Sequence, residues 1–227
     1  MNDKELVARE ALDYVKNNTV VGLGTGSTAN YFIKGLAEKI KREKLNIEVV
    51  ASSTISGINA ANAGLHCVSL DQIESINLYV DGADEIVLNE SIEVLKGRGY
   101  DLIKEKLLAS SSEKCIIIGD NSKIVDKIGM NFPIPVEVSP IAWKITKKII
   151  EKFTTECNLR KNTAGDGFAI TSYGNLVLDC SFKSIDALTL STQLSEVPGV
   201  FEHGIFLNIV HTAIIANNGD VKKYQFN

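Results

Sequence analysis

The residues best suited to chemistry stand in Val80-Asp81-Gly82-Ala83-Asp84-Glu85-Ile86, which sets three carboxylates within five positions around a glycine. The apolar run before it, Leu78-Tyr79-Val80, reads as a buried strand. Acids at the carboxyl end of such a strand project from the sheet edge where open α/β sheets bind ligands. Carboxylates there suit sugar hydroxyls, a metal or proton transfer, whereas an acidic turn held by Asx-type hydrogen bonds would use the same residues without chemistry. A second loop, Gly24-Thr25-Gly26-Ser27-Thr28, follows the strand-like Thr19-Val20-Val21-Gly22-Leu23 and opens a helix over residues 27–44, with Ser27 or Thr28 as its cap. Free backbone N–H groups and the helix dipole make such a junction an anion site. The loop has no Gly-Lys-Ser/Thr of a P-loop, and Ser27 stands where the dinucleotide fingerprint needs its last glycine. The next strand, residues 47–51, ends in Ser52-Ser53-Thr54 and offers no acid for a ribose 2′-hydroxyl. Phosphate is therefore favoured over NAD.

These loops need elements to hold them. Leu6, Val7, Ala11, Leu12 and Val15 recur at helical spacing and predict a first helix over residues 3–16. A helix over 55–63 ended by Gly64, short strands over 66–68 and 78–80 with a brief helix at 71–75 between them, a helix over 101–109 and a buried strand over 115–118 continue the alternation. Such alternation implies a parallel α/β sheet. The last strand closes in another polar loop, Gly119-Asp120-Asn121-Ser122-Lys123. Near Met130 the pattern changes. Phe132-Pro133-Ile134-Pro135-Val136 holds two of the chain's four prolines and reads as a linker or edge segment. A helix over 141–153, strands over 158–161, 168–171 and 176–180, and a helix over 185–194 follow, with Tyr173-Gly174-Asn175 turning the last two strands into a hairpin. The final segments, 212–216 and 221–226, form a hairpin around Asn218-Gly219 that could return to the first sheet. The expected architecture is a mostly parallel α/β sheet flanked by helices over 1–130 plus 206–227, with a smaller α+β domain over 131–205.

Composition narrows the function. A 227-residue chain with 44% apolar and 23% charged residues is ordinary for a globular protein, and its net charge of −4 gives no footprint for nucleic acid or anionic membrane. Cys67, Cys115, Cys157 and Cys180 are widely spaced, without a CxxC or a histidine in ligand register, so buried thiols are expected and a metal site is not. The first residues lack the apolar core of a signal peptide and no run reaches transmembrane length, which places the expected location in the cytoplasm.

Taken in order, Val21-Gly22-Leu23-Gly24-Thr25-Gly26-Ser27-Thr28-Ala29, Asp81-Gly82-Ala83-Asp84-Glu85, Lys96-Gly97-Arg98-Gly99 and Ile103-Lys104-Glu105-Lys106 resemble the type A family of ribose-5-phosphate isomerase. The likeness continues through Asp120-Asn121-Ser122-Lys123, Pro133-Ile134-Pro135-Val136-Glu137-Val138 and Pro198-Gly199-Val200-Phe201-Glu202-His203-Gly204-Ile205-Phe206, essentially the whole chain. The resemblance implies interconversion of D-ribose 5-phosphate and D-ribulose 5-phosphate in the non-oxidative pentose phosphate pathway, with no metal or organic cofactor. It also implies a Rossmann-like sheet with a smaller, ferredoxin-like α+β domain, and a homodimer or homotetramer. By that likeness Glu105 is the general base that moves a proton between C2 and C1 through an enediolate. Asp81, Asp84 and Lys96 would handle ring opening and the oxygen atoms. Thr25, Gly26, Ser27, Thr28, Asp81, Gly82, Ala83, Asp84, Lys96, Gly97, Arg98, Gly99 and Lys123 would hold the substrate. The reaction asks for such a set, because a proton removed beside a carbonyl leaves negative charge on oxygen and calls for a base plus preorganised donors.

Helical phase speaks against Glu105: Leu102, Ile103 and Leu107 share a face, and Glu105 points roughly away from it. His66, His203 and His211 show no partner in sequence and receive no catalytic role; His203 reads as part of a structural turn, and Trp143 as core or interface. Arg98 departs from the family's run of glycines after the lysine, and Tyr100-Asp101 follow it. If residue 98 needs positive φ, arginine there costs about 1–2 kcal/mol. A rival of a different class is a non-catalytic sugar-phosphate sensor of the same fold whose site Arg98 has altered; an NAD-dependent oxidoreductase is a third reading.

Overall fold

The computed structural model describes residues 2–183 and 186–226. The first half alternates helix and strand: α1 (Asp3–Leu12), β1 (Thr19–Leu23), α2 (Ser27–Glu43), β2 (Ile47–Ala51), α3 (Thr54–Asn62), β3 (Ile76–Asp81), the pair β4 (Glu85–Leu88) and β5 (Ile92–Leu95), α4 (Leu102–Ser110) and β6 (Ser112–Asp120). Then come β7 (Ile134–Val138), α5 (Trp143–Ile150), β8 (Glu156–Leu159), β9 (Leu176–Ser181), α6 (Ala187–Ser195), β10 (Val200–His203), β11 (Ile205–Phe206), β12 (Thr212–Asn217) and β13 (Asp220–Gln225).

The main sheet has the order β13-β12-β6-β3-β1-β2, parallel throughout except for β13 at its edge. Both faces are covered, which is why its central strands read as unbroken apolar runs. On one face α2 buries Ala29, Phe32, Ile33 and Leu36, spaced i, i+3, i+4 and i+7. Phe32, Ile33 and Leu36 pack with Val21, Leu23, Val80 and Ile116. Each such large side chain contributes about 1.5–3 kcal/mol on full burial. On the other face Leu108 and Ala109 of α4 pack with Tyr79, Cys115 and Ile117. Strands β2 and β3 flank β1 on opposite sides. The winding reverses there, and a crevice opens beyond the carboxyl ends of β1 and β3, where doubly wound sheets bind ligands.

Segment β7-α5-β8-β9-α6-β10 follows the β-α-β-β-α-β path of a ferredoxin-like unit, and its antiparallel sheet has the order β10-β7-β9-β8. Here the structure corrects the proline-rich segment. β7 is an interior strand, buried along its length. A proline fits there because N–H and C=O of one residue face the same neighbour in an antiparallel ladder. The Pro135 carbonyl accepts from Gly204 N–H (2.8 Å), and the Gly204 carbonyl, with no N–H from Pro135 to take, accepts from Lys96 N–H instead (2.9 Å). The missing donor thus docks the segment after β5 onto the small sheet.

Other elements depart from the sequence reading at their ends. α1 stops at Leu12, residues 66–68 shrink to a single Val49–Cys67 bridge, and residues 71–75 to one 3-10 turn at Leu70–Gln72. Residues 168–171 make only isolated bridges, Lys161–Phe168 and Ile170–Leu176, around a turn closed by Thr171 N–H to the Asn175 carbonyl (2.9 Å). Ile185, the expected start of the last helix, lies outside the described residues. The pair β4–β5, with β11, makes a third sheet that the sequence reading passes over.

Candidate active site

The site is built from the floor up. Gly24 N–H donates to the Val80 carbonyl (2.9 Å), tying the end of β1 to β3. The fully buried Asp81 then joins three segments. Its Oδ1 accepts from Thr25 N–H (3.0 Å) and Gly82 N–H (2.7 Å), and its Oδ2 from Tyr79 O–H (2.5 Å) and Lys96 Nζ (2.7 Å). Those four partners saturate the carboxylate. A side chain at position 24 would put Cβ 2.1 Å from Asp81 Cγ, so only glycine allows the approach. Thr25 is fixed in turn by Ser52 (2.9 Å) and Ser53 (2.7 Å), at the end of β2.

Lys96 leaves β5 into this centre. Its Nζ also donates to the Gly82 carbonyl (2.9 Å), lies 3.5 Å from Glu105 Oε2 and stands over the Phe206 ring at 6.0 Å. Burial would discharge the lysine, but the Asp81 and Glu105 carboxylates outweigh it and hold its pKa above the usual range. Glu105 is 2% exposed, which overturns the helical-phase expectation. The inward face of α4 is Leu102, Glu105, Leu108 and Ala109, and Leu107, assigned inward from sequence, is 48% exposed. Burial pushes the Glu105 pKa up to about 8; Lys96 opposes the rise, while Asp81 and Asp84 add to it. Glu105 Oε2 makes no hydrogen bond among the described residues. A buried acceptor left open in this way is a group held ready for a ligand or a proton.

Above this floor lies a cleft of about 440 Å³. Thr25, Gly26, Ser27, Thr28, Gly82, Ala83, Asp84, Lys96, Gly97, Arg98, Gly99, Glu105 and Lys123 all line it; Asp81 lies beneath and does not. One end is cationic. Gly26 (φ +120°) is the N-cap of α2 and has no side chain to satisfy the first-turn N–H groups, so neither Ser27 nor Thr28 is the cap. Those donors remain free for an anion. Lys4 donates from Nζ to Ser27 Oγ (2.8 Å), adding charge there. Lys4, Asp120 and Ser122 line the cleft and are absent from the sequence-based set. Lys4 stands outside any motif, whereas Asp120 and Ser122 share the polar loop of Lys123.

Arg98 is accommodated without the anticipated strain. Positive φ falls at Gly97 (+103°) and Tyr100 (+74°), not at 98. The Arg98 guanidinium lies over the Phe132 ring (4.4 Å), and its backbone N–H lies 3.4 Å from Asp84 Oδ2. Burial raises the Asp84 pKa, against the pull of Lys96 and Arg98. His203 is buried away from the cleft, its Nε2 3.2 Å from the hydroxyls of Ser191 and Ser195. Burial and Lys106 depress its pKa to about 3, so it is a neutral structural group. Among the described residues no group of three or more His, Cys, Asp or Glu side chains is arranged to hold a metal ion.

Comparisons with known proteins agree on one family. Residues 48–220 match the family model described as ribose 5-phosphate isomerase A (phosphoriboisomerase A). The chain is 38% identical over 224 residues to ribose-5-phosphate isomerase A of Pyrococcus horikoshii, covering 98% of this chain and 97% of that protein. It resembles the solved ribose 5-phosphate isomerase A of Methanocaldococcus jannaschii with a TM-score of 0.92 at 32% identity, over 98% of this chain and 97% of that one. A D-ribose-5-phosphate isomerase solved in complex with phospho-erythronic acid gives a TM-score of 0.93 at 37% identity, over 99% of this chain and 100% of that one.

Proposed function

Because the chain belongs to the ribose 5-phosphate isomerase A family, we propose that it interconverts D-ribose 5-phosphate and D-ribulose 5-phosphate as an aldose–ketose isomerase. The observation that carries this reading is the pair at the cleft floor: a buried carboxylate, Glu105, with its pKa pushed up to about 8, and Lys96 Nζ 3.5 Å away. A base of that strength beside a fixed cation suits proton removal next to a carbonyl. A pure binder has no need of it.

The phosphate is assigned to the first turn of α2, with Ser27, Thr28, Lys4 and Lys123 around it. Glu105 takes the proton from C2 of the open-chain aldose, and the C2–H electron pair becomes the C1–C2 double bond of an enediolate. Negative charge moves to the former carbonyl oxygen, beside Lys96 and the N–H groups of residues 97–99. Glu105 returns the proton to C1 as the proton of the C2 hydroxyl passes to the C1 oxygen, giving the ketose with its carbonyl at C2 and a hydroxyl at C1. Asp84, at the cleft surface, exchanges protons with the sugar hydroxyls and serves ring opening. Asp81 acts through Lys96 and Thr25, whose positions it sets. We assign residues 1–130 and 206–227 to the catalytic unit and 131–205 to the small one. We also assign the protein to the cytoplasm; no helix among the described residues is long and apolar enough to cross a membrane. Exposed Ile141, Ile145, Leu188 and Phe201 support assembly into a homodimer or homotetramer, which light scattering would measure.

The deciding experiment is turnover of ribose 5-phosphate by the purified protein in EDTA, followed as ribulose 5-phosphate. Robust turnover is expected; a folded protein that binds the sugar phosphate without converting it would end the isomerase reading. Glu105→Gln is expected to keep ribose 5-phosphate binding and to lose about 10²–10⁴-fold in kcat. Unchanged turnover would remove Glu105 as the base.

A further inference from the structure

Arg160 follows β8 on the small sheet, on the far side of the 96–99 loop from the cleft. Its Nε lies 3.1 and 3.0 Å from the two Asp179 carboxylate oxygens, its Nη2 2.5 Å from Oδ1, and its Nη1 donates to the Gly97 carbonyl at 2.7 Å. The Tyr100 ring flanks the guanidinium at 5.7 Å. We propose that Arg160, held by Asp179, is a positioning residue that fixes the orientation of the 97–98 peptide and so aims the Arg98 N–H into the cleft. The catalytic consequence rests on the isomerase reading above.

The argument is geometric. No peptide bond among the described residues is cis. In a planar trans peptide the C=O and the following N–H point in opposite directions. A Gly97 carbonyl drawn toward Arg160 therefore turns the Arg98 N–H the other way, toward Asp84 Oδ2, at a long 3.4 Å that leaves it open to a better acceptor. Turning this peptide over rotates ψ at Gly97, where glycine offers little resistance, and φ at Arg98, where a positive value would cost about 1–2 kcal/mol, so the turned state lies within reach unless something selects one orientation. Beyond that small penalty at Arg98, nothing in the loop's own sequence does so. Arg160 does, from a different sheet, and its planar fork can hold the Asp179 carboxylate and the carbonyl together, as a lysine ammonium cannot.

The test compares kcat and KM for ribose 5-phosphate in wild type, Arg160→Ala, Arg160→Lys and Asp179→Asn, with thermal melting of each. Arg160→Ala is expected to lower kcat about 10–100-fold while KM shifts far less, since a donor misplaced by about an ångström weakens the transition state most. Arg160→Lys, which keeps the stem and the charge, should remain folded and still lose most of that factor. Adding Asp179→Asn to Arg160→Ala should cost little more, because Asp179 acts through the arginine. A folded Arg160→Lys with wild-type kcat would overturn the proposal. A crystal structure of Arg160→Ala gives an independent readout: a turned or disordered 97–98 peptide supports the role, and an unchanged one overturns it. Lack of turnover by wild type would end the isomerase reading and leave the peptide orientation to judge Arg160.

Discussion

At the scale of the residue, the site turns on one carboxylate that the sequence hides. Apolar periodicity reports which side chains avoid water, and it has no means of seeing a charge buried together with its counter-charge. Glu105 goes inward because Lys96, from another element, waits there at 3.5 Å. Leu107 stays at the surface because the inward positions of α4 are already taken. Only the family likeness carried that glutamate. Asp81 and Asp84, in contrast, stand out in sequence as acids at a strand's end, yet their environments divide them: one is saturated by protein donors, the other faces the cleft. Because kcat/KM reports the ionisation of free enzyme, it should rise with pH along a limb set by Glu105, whose pKa lies at about 8. The sign follows from the base having to be charged. Lys96→Met removes the cation that opposes burial and should shift that limb to higher pH, apart from any fall in rate. A limb that stayed in place would separate Lys96 from the base.

At the scale of the element, strands β1, β3 and β6 and helix α2 were legible because their burial is apolar and regular. β7 was not, since two prolines usually mark a segment outside a sheet; its place depends on Gly204 and Lys96, which lie far away in sequence. The β4–β5 pair was overshadowed by the acidic loop before it, although Ile86, Val87, Ile92 and Val94 are all buried. The orientation of α4 can be checked by stability. Leu108→Ala, at a fully buried position, should cost about 2–5 kcal/mol in urea unfolding. Leu107→Gln should stay within about 0.5 kcal/mol of wild type. The reverse ranking would restore the face assigned from sequence.

At the scale of the whole molecule, a net charge of −4 coexists with a cleft lined by Lys4, Lys96, Arg98 and Lys123. Net charge reports only that the chain as a whole has no basic footprint, and says nothing of one concave site. A phosphorylated sugar should therefore be steered against the global sign, by a local field that salt screens over about 10 Å at 0.1 M. Raising NaCl from about 10 mM to several hundred millimolar should lower kcat/KM, chiefly through KM, and Lys123→Gln should flatten that dependence. A salt-independent kcat/KM would show that the cleft cations do not steer.

The main sheet also carries an order of events. β12 lies directly beside β6, pairing Thr212 with Ile116 through Ala216 with Asp120, while the whole small unit intervenes along the chain. As a nascent chain leaves the ribosome, β6 therefore emerges with one edge open and keeps it open while that unit is synthesised. An unpaired, apolar strand edge is a template for the wrong neighbour. Closing so long a loop costs little more than closing a short one, since the penalty grows only with the logarithm of length. What the chain bears instead is time, the interval in which Ile116, Ile117 and Ile118 wait for a partner that is translated only after the small unit.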